Sequence, residues 1–396
     1  MSILKIQKSI ASFTFAVASI TAPQATFAAE SLASAFSEGK ASLNMRYRYE
    51  GVDDGSASTD DASAHTLRSR LGFTTGSYKD FKAHADFELI NTGGDFNSGS
   101  NGAADYAKVV DPKSEELNQL FLSYAGLSNT ELKIGRQRII LDNARFVGNV
   151  GWRQNEQTFD GFKITNKSFE DVAITLAQIT QINTITSGEV DTSHTLLNIG
   201  FDKTPVGKVT AYAYMLDNDT STADTNTLGV RVKGSNDSIL YTAEFAQQSD
   251  AADNPADISA TYLFAEAGYK LDNTKVFIGY ESLGSDEGAY GFQTPLATKH
   301  AFNGWADKFL ATPAKGLNDI YVKAVTKIAG MKLVGVYHDF SSDEGSMDYG
   351  TELDIVLVKP INKTFKGILK FADYSADSYS KDTQKVWLAL EANFKQ

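Results

Sequence analysis

The chain has 396 residues, 42% of them hydrophobic, no cysteine and a formal net charge of -12. Without cysteine there is no disulfide framework, no thiol nucleophile and no Cys-ligated metal site. The acidic balance argues against nucleic acid, whose phosphates require a basic footprint.

The first residues read as an export signal. Lys5 and Lys8 precede an apolar run from Ile10 to Ile20, and small residues at Thr26, Ala28 and Ala29 follow in "APQATFAAE". Removal of residues 1–28 is therefore expected. No other stretch approaches the roughly 18 apolar residues of a membrane helix, so any membrane role must use strands.

From Lys40 onward the chain alternates. In "KASLNMRYRYE", Ala41, Leu43, Met45, Tyr47 and Tyr49 share one face, and Ser42, Asn44, Arg46, Arg48 and Glu50 share the other. "TLRSRLGF" and "FKAHADFEL" repeat the pattern from Leu67 and Phe81. Further runs begin near Glu116, Thr130, Thr158, Val172, Ser193, Lys208, Thr225, Ile239, Ser259, Lys275, Leu317, Met331, Tyr349, Phe365 and Gln384, for about 18 strands. The connections alternate in length: long and Asp/Ser/Gly-rich, as in "DDGSASTDDAS" and 284–316, then short, as in "GLSN" and "LDNT".

This pattern predicts an all-β fold, a transmembrane antiparallel up-and-down β-barrel over 29–396 with short periplasmic turns and long outer loops. A sheet in lipid must close, because open edges leave backbone groups unsatisfied. The last run, "QKVWLALEANFKQ", supports closure: Val386, Leu388, Leu390, Ala392 and Phe394 share one face near the terminus.

Projected inward, the basic set is Arg46, Arg48, Arg68, Arg70, Arg231, Lys233, Lys323, Lys366 and Lys370. Glu50, Asp86, Glu88, Glu244, Glu266, Glu281, Asp319, Glu352 and Asp354 form the acidic set. Opposed signs across a lumen sort solutes by charge, unless the groups merely pair with one another. The four arginines of the first two strands suit a carboxylate track, because guanidinium binds carboxylates bidentately.

Two segments break the alternation. In 133–162, the parity of Leu132 and Ile134 would turn Arg136 and Arg138 toward lipid, so both are assigned to the outer rim or to an ingoing loop. Residues 141–157, with Asp142, Arg145, Trp152, Arg153, Gln154 and Asn155, read as an ordered loop folded into the barrel, or as an exposed loop whose Trp anchors at the membrane interface. In "KHAFNGWADKFLATP", Phe302, Trp305, Ala306 and Phe309 recur at helical spacing, which predicts two short helical turns with one aromatic face. Folded over the mouth, this loop would act as a gate with Phe302, Trp305, Asp307, Lys308 and Phe309, leaving His300, Asn303, Asp307 and Lys308 to face solute or wall. The alternative is an aromatic rim anchor.

"TLRSRLGF", "GRQRI", "GNVGWRQNEQTFDG", "FQTPLATKHAFNGWADKFLATPAKGLNDIY", "YHDF" and "GTELD" together resemble the alginate export family of outer-membrane porin-like proteins. That resemblance implies a barrel of about 18 strands with an arginine-rich lumen for an anionic polysaccharide, and it assigns Arg68, Arg70, Arg136, Arg145 and Arg153 to the pore or its constriction. The outer loops depart from it: Asp53, Asp54, Asp60, Asp61, Asp250, Asp253, Asp257, Asp343 and Glu344 would repel a polyuronate at the mouth.

The function expected is a passive channel in the outer membrane of a Gram-negative bacterium, taking anionic solutes such as uronate oligosaccharides or carboxylates. A polysaccharide export pore and a structural anchor or adhesin are the alternatives. An enzyme is not expected: His84 with Asp86, and His338 beside Asp339, have no serine in a recognisable motif nearby. The five histidines lack metal-ligand spacing, and neither metal nor cofactor is implied. The expected partners are membrane lipid and lipopolysaccharide, the solute and the barrel-assembly machinery. Oligomeric state is left open.

Overall fold

A computed structural model describes residues 29–395, and the expected leader, 1–28, lies outside the described residues. A short helix, α1 (Leu32–Ser37), capped by Ser31, precedes the sheet. The wall then runs through β1 (Lys40–Asp53), β2 (Ala62–Thr74), β3 (Phe81–Asp95), β4 (Ser114–Leu127), β5 (Thr130–Gln137), β6 (Thr158–Asn166), β7 (Val172–Asn183), β8 (Glu189–Thr204) and β9 (Gly207–Leu216). It continues with β10 (Thr225–Asn236), β11 (Ile239–Asp250), β12 (Ser259–Leu271) and β13 (Thr274–Leu283). A two-residue hairpin in the next loop, β14 (Ser285–Asp286) with β15 (Tyr290–Gly291), stands outside the wall. The wall ends with β16 (Leu317–Ile328), β17 (Met331–Ser341), β18 (Asp348–Pro360), β19 (Phe365–Ala376) and β20 (Thr383–Lys395).

The main sheet has 18 strands, and every pair within it is antiparallel. β1 pairs with β20 from Ser42↔Lys395 to Asp53↔Gln384, which closes the barrel and removes both edges. Alternation then separates the two faces. On β20, Val386, Leu388 and Phe394 are 37%, 55% and 45% exposed, whereas Trp387 between them is fully buried. An outward apolar band with a polar interior is stable only where lipid covers the band.

Short turns such as 128–129, 205–206, 237–238, 272–273 and 329–330 occupy the end that also holds both chain ends of the barrel. The long connections 96–113, 138–157 and 284–316 occupy the other end, the extracellular side of such a barrel. All three turn inward. The largest apolar cluster lies inside the barrel, where Phe146 of 138–157 meets Phe292 of 284–316 and the wall residues Tyr212 and Tyr262.

The helical expectation for 302–309 is corrected. Only Lys299–Ala301 forms a turn of 3-10 helix, and Phe302, Trp305 and Phe309 point to three different places. The cause is backbone: Asn303, Gly304 and Asp307 hold left-handed φ values of 53°, 83° and 63°, which no right-handed helix tolerates. Gly304 is required there, since a Cβ would meet the Glu352 carboxylate at 2.2 Å.

Candidate functional site: two docked loops above a basic cavity

The arginine track comes from plain alternation on two adjacent strands. Arg46 and Arg68 are directly opposite each other, Arg48 faces Thr66, and Arg70 faces Asn44, all on the inward side. Their surroundings are not those of a solute track. Arg46 Nε donates to Gln154 at 2.9 Å and Nη1 to the Gly151 carbonyl at 3.1 Å, while Arg48 donates to the Trp152 carbonyl and pairs with Asp111. Arg68 donates to the Gln154 carbonyl at 3.2 Å, and Arg70 holds Glu88 at 2.6 Å and Glu156 at 3.1 Å. The 138–157 loop thus lies against this wall, and Arg48 is left 1% exposed. The expected carboxylate track is therefore corrected to an anchoring surface, because the loop's carbonyls and Glu156, with Asp111 and Glu88, occupy most of the guanidinium donors.

Asp111, fully buried, arrives from the 96–113 loop and was not singled out by sequence. It pairs with Arg48 and accepts from the Gln154 amide at 2.7 Å, with Arg153 at 3.8 Å. Glu156 is held by Arg138, Arg70, Asn118 and Asn149. Although burial opposes it, the adjacent guanidinium charges bring its carboxyl down to about 2.

The 284–316 loop docks on the first loop through backbone. Gly148 N–H donates to the Leu296 carbonyl at 2.8 Å, and Thr298 N–H to the Ala144 carbonyl at 2.9 Å. Arg145 then bridges both loops and the wall, with Glu281 at 2.7 Å, Asn303 at 3.0 Å and its guanidinium over the Phe302 ring at 4.8 Å. Burial opposes the Arg145 charge, but the Glu281 carboxylate overcomes it and raises the pKa. The Trp305 and Ala306 amides donate to Asp354 and Glu352 at 3.1 and 2.7 Å. Asp307 is shared by His300, Arg153 and Lys385 at 2.6, 2.9 and 2.8 Å. Phe309 packs among Phe340, Tyr349, Tyr374 and Tyr379, and Lys308 lies 5.7 Å from the Tyr374 ring.

All three tryptophans of the chain meet at this junction. Lys370 Nζ stands 4.2, 3.8 and 5.2 Å from the rings of Trp152, Trp305 and Trp387, and Trp152 stacks on His300 at 5.0 Å. His300 accepts from Lys370 at Nε2, 2.6 Å away, and donates from Nδ1 to Asp307, an arrangement that fits the neutral ring. Burial, reinforced by Lys370 and resisted by Asp307, lowers the His300 pKa to about 3.

Arg136 requires a second correction. It sits directly opposite Leu120 and shares its strand face with Ile134, which are 51% and 63% exposed on the outward side. It pairs there with Asp160 at 2.9 Å and Glu189 at 3.4 Å, so it is a rim residue and does not line the pore. Arg138, two residues on, turns inward to Glu156.

A cavity of about 500 Å³ lies beneath the docked loops. Asn143, Asn303 and Trp305 form its ceiling, and its lower wall reaches Gly234, Lys275 and Val334, close to the short turns. Arg231, Lys233, Lys275 and Lys323 line it together with Glu266, Glu281 and Asp319. Each of these carboxylates is already engaged: Glu266 by Lys323, Glu281 by Arg145, and Asp319 by His338 at 2.8 Å. Arg231 is likewise held by Glu244. Among the described residues, no carboxylate lies within 4.0 Å of Lys233 or Lys275. Lys275 was legible in sequence, since it alternates with the outward Val276 and Ile278, but it was not assigned to the site.

A closed antiparallel barrel with an apolar outside, a charged inside and inward-folded outer loops defines an outer-membrane porin-like protein of a Gram-negative bacterium. The alginate export family model matches residues 39–280, and the chain belongs to that family. No curated protein matches the sequence. Among solved structures, the outer membrane protein OpdK from Pseudomonas aeruginosa has the same fold, with a TM-score of 0.71 at 14% identity over 91% of this chain and 100% of that one. OccAB2 from Acinetobacter baumannii gives 0.70 at 15% identity over 91% and 99%. OpdK from Pseudomonas aeruginosa with vanillate gives 0.67 at 14% identity over 91% and 100%.

Proposed function

We propose that this chain is a passive outer-membrane channel admitting small anionic solutes, such as carboxylates or short uronate oligosaccharides. The observation that carries the reading is the cavity wall: each of its carboxylates is engaged by a neighbouring side chain, whereas among the described residues no carboxylate lies within 4.0 Å of Lys233 or Lys275, which face the open space. Uncompensated ammonium groups in a narrow lumen raise the local concentration of anions and lower that of cations. The structure of OpdK with vanillate, a carboxylate, is in keeping with such a solute.

An exit pore for a polysaccharide is the reading that the family description invites. It would need the cross-section that the two docked loops occupy. An anchor or adhesin would have no use for unpaired lysines on an internal cavity.

The test is the reversal potential of the reconstituted barrel in a salt gradient. Wild type is expected to prefer anions, and Lys233→Glu with Lys275→Glu to move the preference toward cations. A wild type without anion preference, or a double variant with an unchanged potential, would sink the reading.

A further inference from the structure

Below the cavity the lysines form a continuous patch. Lys270 on β12 is directly opposite Lys275 on β13, and Lys327 on β16 is directly opposite Lys332 on β17. Lys275 is opposite Val325, so Lys323 and Lys327 are its two diagonal neighbours. Diagonal neighbours in a sheet are about 7–8 Å apart, within reach of long side chains. Four of these take the inward face because the residues next to them, Tyr269, Val276, Val322 and Ile328, are 53%, 37%, 51% and 56% exposed on the lipid side, and Lys332 shares that face because it is directly opposite Lys327.

Like charges directly opposite each other destabilise a sheet, and this wall holds two such pairs side by side. The carboxylates do not cancel them. Glu266 is bound to Lys323, Lys270 has the Asp237 carbonyl at 3.0 Å, and Asp237 and Asp272 lie in the turns below. Among the described residues, no carboxylate lies within 4.0 Å of Lys275, Lys327 or Lys332. Two other opposed pairs differ in this respect: Lys133–Lys163 has Glu131 at 3.4 Å from Lys133, and Lys208–Lys233 has Asp202 at 2.9 Å from Lys208. An arrangement that costs folding energy and has no internal counter-charge is suited to an external one.

We propose that the Lys270–Lys275–Lys327–Lys332 patch binds a multivalent oxyanion, an oligocarboxylate or polyphosphate, entering from the periplasmic end. One charge cannot satisfy several ammonium groups spread over four strands, whereas an anion with two or three carboxylates spans them. The patch faces the lumen, so a lipid headgroup is not its ligand. This rests on the anion-channel reading and adds valence and side to it.

The experiment uses tricarballylate as the trivalent probe and acetate as the monovalent one. Binding is measured by calorimetry on the whole barrel in phospholipid-free detergent, and current block by addition to each chamber separately. Tricarballylate is expected to bind and to block from one side at concentrations where acetate does neither. Lys327→Gln with Lys332→Gln should weaken binding about tenfold or more, while Lys359→Gln, outward at the same level, leaves it unchanged.

Equal binding of acetate and tricarballylate, or binding unaffected by the double variant, would overturn the assignment. So would block of equal strength from both sides. Calorimetry reads the patch without conduction, so a barrel that binds tricarballylate but shows no anion preference defeats the channel reading and upholds the patch.

Discussion

Replacing Asp111 by Ala removes the group that ties the 138–157 loop to the 96–113 loop and to Arg48 of the wall. The carboxylate is fully buried, pairs with Arg48 and accepts the Gln154 amide at 2.7 Å. Removing one member of a buried ion pair costs about 3–5 kcal/mol, and a stranded buried amide about 1–3 kcal/mol. Arg48 keeps Glu50 at 3.4 Å, and Arg153 keeps Glu50 at 3.2 Å and Asp307 at 2.9 Å, so neither guanidinium is orphaned. The loss should therefore fall near ~2–3 kcal/mol. It should fall on loop docking, because the closed strand ladder of the wall has no part in these contacts.

The assay is amide hydrogen exchange at positions whose own acceptor survives the substitution: Gly148 on the Leu296 carbonyl and Gln157 on the Asn149 carbonyl. Exchange through local opening should accelerate roughly 30- to 150-fold at both, with β10–β13 unchanged. Asp111→Asn, which keeps an acceptor for Gln154, should give a smaller effect. Unchanged exchange at Gly148 and Gln157, or equal acceleration throughout the barrel, would refute the view that Asp111 holds the loop.

His300 gives docking a pH dependence. The docked ring titrates near pH 3 against an ordinary value of 6.5, so between these values the undocked loop carries a proton that the docked loop lacks. Docking is at full strength above about pH 6.5 and weakens as pH falls toward 3; tryptophan emission should shift to the red over that window, and His300→Gln should flatten the shift. Gly304→Ala puts a methyl into Glu352 at a left-handed position, with strain of about 1–3 kcal/mol, and should displace Trp305 and raise single-channel conductance at neutral pH. Arg68→Glu, which strand alternation alone would rank as a selectivity change, should instead loosen 151–156, seen as protease cleavage there before any change in reversal potential.

Much of this molecule was legible from local pattern. A strand's side chains alternate with period two whatever it pairs with, so the inward position of Arg46, Arg48, Arg68 and Arg70 and the outward band of β20 follow from spacing alone. Closure follows as well, because lipid tolerates no open edge. The same parity rule turns both Arg136 and Arg138 outward: it holds for Arg136, at the rim, against the resemblance that assigns this residue to the pore, and fails for Arg138, which leaves the strand and turns inward to Glu156.

What local pattern could not supply was the content of the lumen. Arg48 meets Trp152, 104 residues away, and Arg145 meets Asn303, 158 residues away; no spacing rule reaches that far. Aromatic spacing at 302, 305 and 309 suggests a helix, but the Asn303–Gly304 step is a turn signal that is stronger, and each ring has its own contact: Phe302 on Arg145 of the 138–157 loop, Trp305 on Lys370 and Phe309 on Phe340 of the wall. The sequence by itself determined the wall, because alternation and closure are properties of each strand and its solvent. Only the tertiary structure decided which inward charges meet solute, since that depends on loops from distant parts of the chain competing for the same donors: they claim Arg46, Arg48, Arg68, Lys370 and Lys385 and leave Lys233 and Lys275 facing the cavity.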